Sequence, residues 1–226
     1  MRTITEKIKE SFLAFSIEPN EELLTYATAC DAYSVGELHS SGMQNALCSY
    51  MDSCASRSRA LSAAVGRTKE PPMADVFTEA TNMLVDAIVR SKKADIKVFS
   101  EKNVKLKCGY RKPDVSIWKN DKLIGVVECK TCLGRRRDDW KNDYEKRVAE
   151  LSELQLTDSR VILFVETEQT WQGFPATDSR TLKTWFTLCP KGSWHGGGKT
   201  GEVKLVEKQY EGIVDKFKDR ILEIIA

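Results

Sequence analysis

Between Asp75 and Arg90, apolar residues recur at intervals of three and four: Val76, Phe77, Ala80, Met83, Leu84, Ala87 and Ile88. That spacing lines one side of a helix. The pattern then changes period. Val104, Leu106 and Cys108 alternate with Lys105 and Lys107, which predicts a first strand over 96–108 whose lysines suit a solvated edge. Residues 112–118 and 123–130 are rich in β-branched and apolar side chains, and Lys119-Asn120-Asp121-Lys122 between them is turn chemistry, so the pair reads as a hairpin. Helical spacing returns in Trp140, Tyr144, Val148, Leu151 and Leu154, predicting a helix over 140–156. The run Arg160 to Val165 is short and continuously apolar, as a central strand is.

The flanks are simpler. Residues 1–70 read as helical, with Ile4, Ile8, Phe12 and Phe15 as one stripe, a second helix after Asn20, and a third segment over 43–65. Pro71-Pro72 punctuates the end of this region. The stretch 171–201 is loop-rich and aromatic, with strands expected near 184–188 and 202–206, and a closing amphipathic helix spans 209–225. The expected architecture is α/β: a mixed β-sheet core over 71–226 flanked by helices, behind a helical N-terminal extension over 1–70.

Composition narrows the function classes. A chain of 226 residues, 41% hydrophobic, can bury a real core. It has no run long enough to span a bilayer and no signal-like start, and its seven cysteines lack a disulfide rhythm, so a cytoplasmic protein with free thiols and no membrane partner is expected. Net charge is only +2, but residues 90–112 hold nine lysines and arginines against Asp95 and Glu101. Arg135, Arg136 and Arg137 form a second basic cluster. A local basic face on a near-neutral chain suits an enzyme that must hold one polyanion at one place.

The chemistry gathers on the hairpin. Pro113-Asp114 is followed fourteen residues later by Glu128-Cys129-Lys130. Glu128 and Lys130 share one face of a strand, and Cys129 takes the other. Two carboxylates can hold a hard divalent cation, and a lysine beside them can steer water. Over roughly 75–170, the motif and the order helix, strand, strand, strand, helix, strand resemble the PD-(D/E)XK nucleases, the superfamily of most type II restriction endonucleases.

The resemblance implies a Mg²⁺-dependent endonuclease, with Mn²⁺ as a substitute, that cuts double-stranded DNA to leave a 5′-phosphate. It assigns Asp114 and Glu128 to the metal with the Cys129 carbonyl, and Lys130 to the attacking water. Glu79, on the helix before the sheet, is a further catalytic candidate because that helix often contributes a glutamate in this family; Asp86 is a weaker one. Arg111, Lys112, Arg135, Arg136, Arg137 and Lys141 are the expected DNA contacts. A homodimer and a DNA methyltransferase acting on the same site are the implied partners. A repair, junction-resolving or mobile-element nuclease, or a non-catalytic nucleic-acid-binding protein, are the alternatives.

A shared metal site makes a demand on register. A two-residue loop at Asn120-Asp121 with regular strands would set Asp114 opposite Val127, on the wrong face. A three-residue loop or a bulge would set it opposite Glu128. Three other signals are set aside. Glu202-Val203-Lys204 repeats the Glu-x-Lys spacing but lacks a Pro-Asp hairpin. Gly198-Lys199-Thr200 has Ser193 where a phosphate loop needs glycine. Cys129 and Cys132 have no second pair to complete a zinc site, and His39 and His195 stand alone.

Overall fold

The computed structural model describes residues 2–67, 73–93, 95–107, 109–131, 137–157, 160–167, 184–189 and 212–226. It is mixed α/β. Helices α1 (Ile4–Ala14), α2 (Glu21–Val35) and α3 (Ser40–Ala64) come first, then α4 (Ala74–Arg90). Strands β1 (Ile96–Ser100), β2 (Val104–Leu106), β3 (Gly109–Arg111), β4 (Val115–Lys119) and β5 (Lys122–Lys130) follow. The chain continues through α5 (Arg137–Ser152), β6 (Val161–Thr167), β7 (Trp185–Cys189) and a final helix α6 (Ile213–Ile225).

Five strands form one sheet in the order β1-β4-β5-β6-β7. The first three pair antiparallel, and β5, β6 and β7 run parallel. Side-chain alternation then builds two cores. Val115, Ile117, Val127, Cys129, Ile162 and Phe164 meet α4, α6 and the N-terminal helices. Val126, Val161, Leu163 and Val165 meet Tyr144, Val148 and Leu151 of α5. The predicted stripe on α4 and, on α5, Tyr144, Val148 and Leu151 are therefore the faces that pack on the sheet, one on each side, while Trp140's side chain lies outside the described set and Leu154 follows the helix end.

Local chemistry sets the helix ends. Thr3 and Glu6 form a reciprocal capping box on α1, and Asn20 caps α2 through the Leu23 amide. Asp31 accepts from the Ile4 and Thr5 amides and so ties α1 to α2. The apolar stripe of α1 stops short of expectation. Phe15 falls at the helix C-cap and is 79% exposed, because the helix ends before a fourth turn can carry it onto α2. The sequence break at Pro71-Pro72 does not divide the core: Tyr26, Met43 and Leu47 belong to the same buried cluster as Phe77, Phe164 and Phe217.

The expected first strand is two strands. Glu101 has φ of 48°, which turns the chain out of the sheet, so β1 keeps the edge beside β4 and β2 leaves to pair with β3 as a separate two-stranded ribbon. The strand expected near 202–206, most of the 171–201 stretch, Cys132 and His195 lie outside the described residues. Among the described residues, Cys30, Cys48, Cys54 and Cys129 are free thiols. No helix among them is long and apolar enough to cross a membrane.

Two contacts lock the sheet to its helices. Gly125 has no room for a side chain, since a Cβ there would sit 2.7 Å from Ile224 Cγ2 of α6. Phe164 of β6 is fully buried and stacked 4.3 Å from Phe217 and 5.4 Å from Phe77, joining α4, the sheet and α6. Phe164→Ala is expected to cost about 3–5 kcal/mol of stability, by lost transfer and cavity formation. Urea denaturation checks this, and a loss below about 1 kcal/mol would mean that the three rings do not form the packing centre.

Candidate functional site

The β4–β5 hairpin turns on Asn120 and Asp121, whose φ angles of 48° and 59° are those a two-residue turn matched to strand twist requires. Lys119 faces Lys122 and Trp118 faces Leu123, as a regular two-residue hairpin would have it. The register then shifts. Ile117 faces Gly125, so Ile124 is an extra residue, and this bulge carries the offset on to Ser116↔Val126 and Val115↔Val127. The next residues in line are Asp114 and Glu128. The loop is the short one and a bulge supplies the offset.

Asp114 lies just before β4 and is held on three sides. Its carbonyl accepts from the Glu101 amide at 3.1 Å. Its Oδ2 accepts from the Cys129 amide at 2.7 Å and lies 3.7 Å from Lys130 Nζ. Glu128 is more deeply set, with a side chain 6% exposed, and forms an ion pair with Arg147 of α5. Asp114 also acts on Arg147: burial pulls the guanidinium pKa down, and Asp114, the largest of the opposing influences, pulls it back up. Two carboxylates and two cations thus share the α5 face of the sheet at the end of β5, where the parallel neighbour presents Leu163 and Val165. Cys129 points to the other face, near Thr78 and Thr81 of α4. Burial first, then Asp114, pushes its thiol pKa well up, so it behaves as a core residue and offers the site only its backbone.

Glu79 has different surroundings. It sits exposed on α4, the helix of the opposite layer, and partial burial followed by Asp75 and Glu101 raises its carboxyl pKa. The structure does not bring it to Glu128 and Arg147. Asp86 is a structural carboxylate, buried and bonded to Lys7 Nζ at 2.6 Å and Arg90 Nε at 2.8 Å, which fastens α1 onto α4. Among the expected DNA contacts, Arg111 is tied to Glu150 of α5, while Lys112 is exposed. Arg137 and Lys141 fall in α5 with their side chains outside the described set, and Arg135 and Arg136 lie outside the described residues altogether.

The residue that sequence reasoning missed is Arg147. Its position carries a faint signal: it borders the Tyr144, Val148 and Leu151 stripe of α5, so its side chain starts at the helix–sheet boundary. Nothing in the sequence says which strand it meets.

The donor set suits a hard cation of the Mg²⁺ type, which takes one or two carboxylates and keeps much of its water. Among the described residues, no group of three or more His, Cys, Asp or Glu side chains is gathered for a metal, so water and backbone oxygen would complete the coordination shell. Comparisons with protein-family models, with curated proteins and with solved structures gave no significant match to this chain.

Proposed function

We propose that this chain is a Mg²⁺-dependent DNA endonuclease of the PD-(D/E)XK kind, acting on double-stranded DNA in the manner of a type II restriction enzyme. The observation that carries the reading is the bulge at Ile124. It offsets an otherwise regular hairpin by one residue, and that offset sets Asp114 level with Glu128 on the face that also bears Lys130. Bulges of this kind recur beside active sites, where they re-aim a side chain.

In this reading Asp114, Glu128 and the Cys129 carbonyl would hold the metal, which supplies Lewis-acid polarisation of the phosphate and a more acidic water. Lys130 holds the attacking water by hydrogen bonding and offsets charge that grows on the phosphate oxygens. The Cys129 amide fixes the Asp114 carboxylate, so the acid does not have to be ordered when substrate arrives. Cutting both strands of a symmetric site calls for two such centres, and a C2 homodimer supplies them. A methyltransferase that protects the same sequence in the host DNA is the matching partner.

Purified protein incubated with unmodified plasmid and Mg²⁺ is expected to give discrete fragments, and EDTA is expected to stop the reaction. Cutting confined to branched DNA would redirect the proposal to repair or junction resolution. One observation favours a second reading. Glu128 already has a cationic partner in Arg147, as a nucleic-acid-binding protein that kept the fold without the chemistry would retain. Retention of DNA without Mg²⁺-dependent cleavage by pure protein would favour that reading.

A further inference from the structure

The β2–β3 ribbon stands apart from the main sheet and has two unlike faces. Its register pairs Val104 with Arg111, Lys105 with Tyr110, and Leu106 with Gly109. Val104 is buried and Leu106 packs beside it against the α5 core, so this face looks inward. Two further ties hold it there: Arg111 to Glu150, and the Lys107 amide to Glu153 Oε2 at 3.2 Å. Gly109 opens β3 at φ 99°, a backbone conformation that glycine takes without steric cost.

The opposite face carries Lys105 directly across from Tyr110. Lys105, Lys107, Tyr110 and Lys112 are all exposed, Tyr110 at 69%. No ion pair among the described residues engages any of the three lysines. The exposed tyrosine thus shares one face of an anchored ribbon with three lysines. Rigid support below and exposed positive charge above make a contact surface.

We infer that this outward face is a docking strip for the sugar-phosphate backbone of DNA beside the scissile phosphate, with Lys105, Lys107 and Lys112 on phosphates and Tyr110 against the sugar. The inference rests on the nuclease reading and adds to it the way the substrate is held. Dimensions and position agree with it. Lys105 and Lys107 are two positions apart, about 7 Å, close to two phosphate steps of one strand at roughly 3.4 Å of helix axis each. Only Lys112 and Pro113 separate Arg111 from Asp114, so the strip ends within about 11 Å of the proposed metal site. Charge complementarity selects a polyanion, and the open ring offers the deoxyribose beside the phosphates an apolar surface.

The test measures binding of a fluorescein-labelled duplex by anisotropy in EDTA, so that no cleavage intervenes, over a series of NaCl concentrations. The variant K105A/K107A/K112A is compared with K9A/K92A/K216A, which removes the same charge from exposed positions elsewhere. The ribbon variant is expected to bind about 10- to 100-fold more weakly, and to flatten the slope of log affinity against log salt by about 2.7, near 0.9 for each lysine lost. The control variant should move that slope by less than about 0.5, and Tyr110→Ala should weaken binding with the slope unchanged, since the ring has no charge. Matching thermal melts show that each variant is folded. Equal behaviour of the two triple variants, or no binding by wild type, overturns the inference. The nuclease reading fails separately: a wild type that binds through the ribbon but never cuts with Mg²⁺ would sink that reading and leave the strip standing.

Discussion

Asp114→Asn is expected to lower Mg²⁺-dependent cleavage by about 10³-fold or more, on the order of 4 kcal/mol of barrier, with little change in stability. The substitution separates the two tasks of this side chain. An asparagine oxygen can still accept from the Cys129 amide, which now donates to Asp114 Oδ2 at 2.7 Å, so the cross-strand tie survives. The charge that would hold a divalent cation does not. Lys130→Met should give a loss of similar size, because its Nζ is the cation that approaches Asp114 most directly, at 3.7 Å. Initial rates of supercoiled-plasmid cleavage over a Mg²⁺ titration check both, beside thermal melts of each protein. Full activity in either variant would show that the cutting comes from another centre.

The parts of the fold that were legible in the sequence are those set by local periodicity. The stripe on α4, the β-branched and apolar hairpin strands and the apolar run of β6 each state their structure within a few residues, and all three are found close to their expected bounds. The register was legible as a requirement. A three-residue loop and a bulge satisfy it equally, and Leu123 and Ile124 are both apolar enough to turn inward. The structure resolves the choice by sending Leu123 to the α5 core and Ile124 to the α4 and α6 core.

The misreadings share a cause. Alternation through Val104, Leu106 and Cys108 looked like one strand continuing from 96, since a single residue at positive φ, Glu101, leaves no mark on a hydrophobic pattern. Phe15 extended the stripe on paper past the point where the helix stops. Asp86 bordered an apolar face and could have been functional, but besides Arg90 one turn on it is held by Lys7, 79 positions away. Contacts between residues distant in the chain decide such cases, and spacing does not encode them. Arg147 is the same problem at the candidate site: its partner Glu128 is on another element, 19 positions earlier.

Arg147→Met is expected to split metal affinity from turnover. In the structure the guanidinium is ion-paired with Glu128 and feels Asp114, so it provides positive charge beside two neighbouring carboxylates. A divalent cation must compete with that ion pair. Removing it should lower the Mg²⁺ concentration for half-maximal cleavage by about tenfold, which corresponds to roughly 1.4 kcal/mol. Turnover at saturating Mg²⁺ should nonetheless fall, by about 10²-fold, because an arginine released from Glu128 can fork onto a phosphate and stabilise its growing charge. Lys in its place keeps the charge but not the fork, so Arg147→Lys should recover the wild-type Mg²⁺ requirement without recovering the rate. Cleavage rates across a Mg²⁺ titration for the three proteins give both numbers. An arginine that only braces α5 against the sheet would instead show lower melting temperatures with no shift in Mg²⁺ dependence, and Arg147 would then have no part in the chemistry.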